Sequence, residues 1–245
     1  MSITKTSIRQ FKDQMAWLKD HGYRTTTLAQ WLGQKRQSCE ASKDRAVILT
    51  FDDVYESIDK ASEIMHQFGF IGNCFPVSRF VAQSNDWDYQ FLGRKLKHAS
   101  WSALRTLLDC GWEIGSHSHR HTDLSRLDQK QLSEEFDVSR KILQDKLGCK
   151  IDTISYPFGR ANEQVCRFAL ENGFRFGLGL GLSIKAYARF GNMCLPRLGV
   201  YRCDSIKTFA RKVQSFSPIK EKMFNRQRLL SFCSQGTVLL KKWRR

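Results

Sequence analysis

The chain has 245 residues, with 40 Lys and Arg against 24 Asp and Glu, a formal charge of +16. Hydrophobic residues make up 41%, which excludes global disorder, and the length suits one barrel-sized domain or two small ones. No apolar run reaches the ~18 residues of a spanning helix, and the N-terminus MSITKTSIRQFKDQM lacks an apolar core of signal-peptide type.

Helix and strand patterns alternate along the chain. Ile8, Phe11, Met15 and Leu18 share one helical face, and Gly22 can close that helix. AVILTF (46–51) is a continuous apolar run, the pattern of a strand covered on both sides. A helix follows over 56–68, with Ile58, Ala61, Met65 and Phe68 inward, then a strand over 71–77. The segment 101–110 reads as a helix and 112–118 as a strand entering a loop. Residues 129–147 carry the clearest helical stripe, formed by Leu132, Phe136, Leu143 and Leu147. Strands at 153–158, 174–180 and 194–200 alternate with helices over 161–172 and 204–213. This alternation predicts an α/β fold with a parallel sheet, and the number of repeats suits a barrel.

Two stretches interrupt the rhythm. Residues 82–100 are polar with interspersed aromatics, too long for an ordinary connection, and suit either a binding loop or a surface insertion. Trp87 and Tyr89 in that loop are candidates to stack on a substrate. The tail, residues 214–245, holds eight basic residues and one acidic, among apolar residues such as Phe224, Leu229 and Trp243. The chain therefore divides into a domain over 1–213 and a basic, partly apolar tail.

Asp52 and Asp53 end the apolar run, where parallel α/β folds gather their chemistry. Adjacent side chains on extended backbone point opposite ways, so one carboxylate can bind a metal while the other takes a proton. A solvated turn would look the same. His117 and His121, four apart in GSHSHRH, follow another predicted strand at a spacing common for metal ligands, and His119 lies between them as a bystander. Two Asp and two His at strand ends suffice for metal-assisted hydrolysis. SYPFGR (155–160) ends a third strand, where a turn can aim a backbone N–H at a developing oxyanion, or simply lead into the next helix.

Thr50-Phe51-Asp52-Asp53, Ser116-His117-Ser118-x-x-His121 and Tyr156-Pro157-Phe158-Gly159 resemble, in order, the first three motifs of the polysaccharide deacetylases, carbohydrate esterase family 4 or the NodB homology domain. The resemblance runs from about residue 8 to 213 and includes FKDQMAWLKDHGYR, TDLSRLDQKQLSEE and LPRLGVYR. It implies a distorted (β/α) barrel of about seven parallel strands and hydrolytic removal of acetyl groups from N-acetylated sugars. Asp52 would be the general base. Asp53, His117 and His121 would hold one divalent metal, usually zinc, and the Phe158 N–H would help stabilise the oxyanion. Tyr156 is a further candidate to contact substrate.

Three positions depart from that pattern. The Gly that usually follows the two Asp is Val54, which would be strained at positive φ. The motif-three Arg that orients the base is Ser155, leaving Arg160 or Arg197 to approach from elsewhere. The family usually supplies a His late in the domain, or in a permuted subgroup from a strand ahead of the first helix, to protonate the leaving amine. Here no His follows His121, and the chain begins just before the first helix. His21, His66 and His98 do not match the motif. An absent N-terminal strand, or a catalytically impaired glycan-binding scaffold on the same fold, would each account for this.

Gly177, Gly179 and Gly181 lack a nucleotide-loop register, and no G-x-S-x-G elbow is present. The eight cysteines are scattered without metal-site spacing, as expected of reduced thiols in a cytoplasmic protein. No nucleic-acid motif accompanies the charge. Residues 1–213 carry +9 and the 32-residue tail +7, and basic charge mixed with apolar anchors suits either an anionic membrane surface or a solvated or packed C-terminal extension; the expectation is a protein in the cytoplasm or at the inner face of the membrane.

Overall fold

The computed structural model describes residues 6–37, 45–84, 96–180 and 189–214. Trp87, Tyr89, Gly181 and the tail from residue 215 lie outside the described residues.

The first helix, α1 (Ile8–Asp20), begins where the Ser7 hydroxyl accepts the Gln10 N–H at 3.2 Å, and ends at Gly22, whose φ of +69° suits glycine. It buries Met15 and Leu18 but leaves Ile8, expected on the same face, 62% exposed in the first turn. Next come β1 (Arg24–Thr25), α2 (Leu28–Gln37), β2 (Ala46–Val47), β3 (Thr50–Asp53), α3 (Ile58–Gln67) and β4 (Asn73–Pro76). After them lie α4 (Trp101–Asp109), β5 (Glu113–Ile114) and α5 (Gln129–Leu147). The chain then forms β6 (Thr153–Ser155), α6 (Glu163–Glu171), β7 (Phe176–Leu180), β8 (Leu195–Arg197) and α7 (Ile206–Gln214). A capping box between Asp128 and Gln131 sets the start of α5, whose Leu132, Phe136 and Leu143 are fully buried.

The strands pair in parallel as three small sheets, β1-β2, β3-β4-β5 and β6-β7-β8. A single parallel bridge, Ser116 to Ile154, links the second sheet to the third. One continuous ladder of about seven strands, as expected, is therefore not what the hydrogen bonds draw. Strands of two to five residues carry too few rungs, and the apolar run 46–51 is interrupted between β2 and β3. The apolar pattern of that run predicts cover on both faces, yet all its residues are only half-buried. Among the described residues, its β1 neighbour pairs with only Ala46 and Val47 of the run.

Because every strand ladder, and the bridge from Ser116 to Ile154, is parallel, the carboxyl ends of β3, β5, β6 and β8 share one rim. Gly177 lets β7 and β8 approach Tyr156. A Cβ there would collide with the Tyr156 hydroxyl and lie 2.5 Å from the Met193 carbonyl oxygen. The six described cysteines are free thiols. Among the described residues, no helix is long and apolar enough to cross a membrane.

Candidate metal centre

The end of β3 turns sharply. Asp53 and Val54 both take positive φ, +62° and +53°, and the Val54 N–H donates back to the Asp52 carbonyl at 2.7 Å. A β-branched residue in this region is strained, and Val54 is held there buried, at 2% exposure. The turn sends the two carboxylates to different partners. Asp53 Oδ1 lies 3.6 Å from His117 Nε2 and 3.4 Å from His121 Nε2. Asp52 meets Arg197 and Ser155.

His117 follows β5, buried at 3% exposure, and its Nδ1 lies 2.6 Å from the Ser155 carbonyl oxygen. A carbonyl only accepts, so Nδ1 carries the proton and Nε2 presents its lone pair toward Asp53. Burial lowers the His117 pKa, Asp52 and Asp53 pull it partly back, and the net shift is downward, toward the neutral form that binds metals. The His121 ring packs edge-on against Phe158, centroids 4.8 Å apart. One donor atom each from Asp53, His117 and His121 lie within 4.8 Å of one another. Zinc bound at ~2.0 Å by tetrahedral ligands would hold them about 3.3 Å apart. The observed 3.4 and 3.6 Å from Asp53 are close to that, so the carboxylate stands at ligand-pair distance from each imidazole.

Asp52 is gripped from two sides. Arg197, arriving on β8, donates from Nη1 to Oδ1 at 2.9 Å and from Nη2 to Oδ2 at 2.8 Å. The Ser155 hydroxyl donates to Oδ1 at 2.9 Å and accepts from Arg197 Nη2 at 2.7 Å, while Thr50 accepts from Nη1 at 3.1 Å. Burial alone would raise the Asp52 pKa. The Arg197 and His117 charges, with the Arg197 and Ser155 hydrogen bonds, outweigh it and hold the carboxyl well below the usual carboxylate range. Of the two arginines that the sequence offers, Arg197 therefore meets Asp52. Arg160 instead donates to Asp123 at 2.9 Å.

Phe158 sits at φ +59°, between β6 and α6. The next two N–H groups are taken by the Tyr156 and Pro157 carbonyls, whereas no backbone carbonyl among the described residues accepts from Phe158. Tyr156, a candidate to contact substrate, is instead fully buried, and its hydroxyl donates to the Met193 carbonyl at 3.0 Å. Tucked between β7 and α6, it has no face to offer a sugar. His98 matches no motif, yet its buried Nδ1 lies 2.6 Å from the Asp53 carbonyl oxygen, 45 positions away in sequence. Nothing local to residues 96–100 signals that contact.

Residues 40–177 match the family model described as polysaccharide deacetylase. The chain belongs to this family. It is 25% identical over 171 residues to YxkH of Bacillus subtilis, a candidate polysaccharide deacetylase, covering 69% of this chain and 57% of that protein. It is 25% identical over 181 residues to the poly-β-1,6-N-acetyl-D-glucosamine N-deacetylase of Staphylococcus aureus, covering 70% of this chain and 59% of that one. The chain thus spans less than three-fifths of these relatives. Among solved structures it superposes on the deacetylase PplD of Streptococcus pyogenes, in complex with acetate, with a TM-score of 0.73 and 18% identity. That match covers 87% of this chain and 89% of PplD. A de-N-acetylase from Aggregatibacter actinomycetemcomitans gives a TM-score of 0.70 and 21% identity, over 86% of this chain and 91% of that one. At such identities the likeness establishes a shared fold.

Proposed function

We propose that this protein is a metal-dependent N-deacetylase acting on an N-acetylated amino-sugar glycan or its precursor, with the three sheets as arcs of one distorted barrel. The observation that carries the reading is the convergence of Asp53, His117 and His121 beside an Asp52 held by Arg197 and Ser155. Two imidazoles and one carboxylate suit zinc, with a position left for substrate or water. A divalent ion there supplies Lewis acidity toward a carbonyl and a water.

The chain's own groups account for the rest. Asp52, kept ionised by Arg197, accepts the proton of the attacking water on a carboxylate oxygen. Arg197 and Ser155 fix the carboxylate plane so that proton transfer needs no rearrangement. The Phe158 N–H, on a turn packed against His121, donates to the oxygen that gains charge as the acetyl carbon becomes tetrahedral. The proton that Asp52 took returns to the leaving nitrogen as the C–N bond breaks, so that acetate and the free amine are released.

A second reading, a glycan-binding scaffold with impaired catalysis, is favoured by the changed motif positions Val54 and Ser155. Acetate release from a panel of N-acetylated oligosaccharides, with metal content measured on the same sample, decides between them. About one zinc per chain with acetate production supports the enzyme, and metal with no acetate supports the scaffold. Asp52→Asn should keep the metal and lose about 10²–10⁴-fold in rate. The basic, partly apolar tail supports docking on an anionic membrane surface from the cytoplasmic side. Co-sedimentation with phosphatidylserine vesicles that falls with salt tests that assignment.

A further inference from the structure

The loop carrying the two histidines is not a relaxed conformation. Ser118 and His121 both take positive φ, +65° and +55°, in a segment without glycine. Non-glycine residues persist in this region only where their surroundings over-determine them. On one side of the loop, the Ser78 and Arg79 N–H groups donate to the Ser118 and His119 carbonyls, each at 3.2 Å. On the other side stands Glu135 of α5, a carboxylate buried at 1% exposure. Its Oε2 accepts the N–H groups of both His119 and Arg120, each at 2.9 Å. One helical turn later, the Ser139 hydroxyl accepts from the Ser116 hydroxyl at 2.9 Å. Ser116 Oγ in turn accepts the Ser118 N–H, and Ser118 Oγ accepts the His121 N–H, both at 3.1 Å.

We propose that Glu135 is a positioning residue for the metal centre. By gathering the two N–H groups midway between His117 and His121, it holds the loop in the form in which both imidazoles converge on Asp53 before any ion arrives. The carboxylate belongs to a helix face otherwise lined by Leu132, Phe136, Ser139 and Leu143, and a buried acid on such a face is explained by the two donors it receives. Its other oxygen lies 3.5 Å from the Arg120 guanidinium, whose side chain is 44% exposed, so the loop backbone is its principal partner. Removing the carboxylate leaves two peptide groups without their acceptor and frees the strained loop to relax, separating His121 from His117. Binding a metal must then rebuild the loop, and affinity falls.

The inference rests on the metal-centre reading, and the experiment separates the two. Zinc affinity is measured by chelator competition on the full chain, as wild type, His117→Ala, Glu135→Met and Glu135→Gln. Glu135→Met fills the same space without an acceptor, and Glu135→Gln keeps a neutral one. Expected are a loss of about 10–100-fold in zinc affinity for Glu135→Met and a smaller loss for Glu135→Gln, since a neutral acceptor binds N–H groups less strongly. The visible spectrum of the cobalt(II)-substituted protein should change in both variants, which a lowered melting temperature alone would not cause. Wild-type zinc affinity and an unaltered cobalt spectrum in Glu135→Met, or in Glu135→Gln should the first not fold, would overturn the role of Glu135. Failure of the wild type itself to bind zinc more tightly than His117→Ala would instead overturn the metal-centre reading.

Discussion

Replacing Arg197 by Met keeps an unbranched apolar stem but removes both charge-assisted bonds to Asp52 and those to Ser155 and Thr50. Breaking a fully buried ion pair by deleting one partner costs about 3–5 kcal/mol. Here the Arg197 side chain is 10% exposed but that of Asp52 is 27% exposed, so water relieves part of the loss and about 2–3 kcal/mol is expected at pH 7. The effect should depend on pH in a definite sense. The Asp52 pKa is depressed in the folded protein, so the pair's stabilisation is fully present above the ordinary carboxylate pKa and is lost as pH falls through the folded value. Urea unfolding of wild type and Arg197→Met between pH 7 and the lowest pH at which both still fold should therefore show a difference largest near neutrality. Without Arg197, burial pushes the Asp52 carboxyl upward, so the acid limb of the pH–rate profile should move toward neutral pH. A stability difference independent of pH, together with an unmoved acid limb, would refute the claim that Arg197 acts through the Asp52 charge.

Val54→Gly should relieve about 1–2 kcal/mol of left-handed backbone strain while losing about 1.5–3 kcal/mol of buried side chain, so net destabilisation should stay below about 2 kcal/mol. A loss above about 3 kcal/mol in denaturant unfolding would mean the turn is not strained. Tyr156→Phe leaves the Met193 carbonyl to the weaker Cys166 thiol, 3.6 Å away, and should cost about 1 kcal/mol with KM unchanged. A raised KM would return Tyr156 to the substrate site. Zinc at about 100 times its Kd should stabilise the fold by about 2.7 kcal/mol, roughly 5–10 °C in melting temperature. A chelator should reverse this shift, and His117→Ala should abolish it.

Elements with strong local signals are legible in the amino-acid sequence. The helix at 129–147 has its stripe and its capping box within about one helix length, and the structure places it there. The Asp pair and the His pair are legible because strand ends and four-residue spacings are written locally. Less is readable where the determinant is distant. The short β1 and α2 escape sequence reading because α2, with residues such as Gln30, Gly33 and Lys35, has a weak apolar stripe, and a two-residue strand exists only through its neighbour. Ile8 departs from its expected burial because periodicity fixes a face, whereas the first turn of α1 extends past the core. Tyr156 departs from its expected role because its motif position does not reveal that Gly177 leaves room for its ring.

Taken alone, the sequence determined the alternation of elements, the polysaccharide deacetylase motifs and the identities of the candidate ligands, since all are carried by short-range spacing. Tertiary structure decided which arginine meets the base. Arg197 and Asp52 are 145 positions apart and meet because β8 and β3 end on the same rim. It also decided that Val54 tolerates its turn, that His98 holds the Asp53 carbonyl, and that Glu135 clamps the histidine loop. The Arg197, His98 and Glu135 contacts join buried polar groups to partners 15 to 145 positions away, pairings that no local pattern encodes.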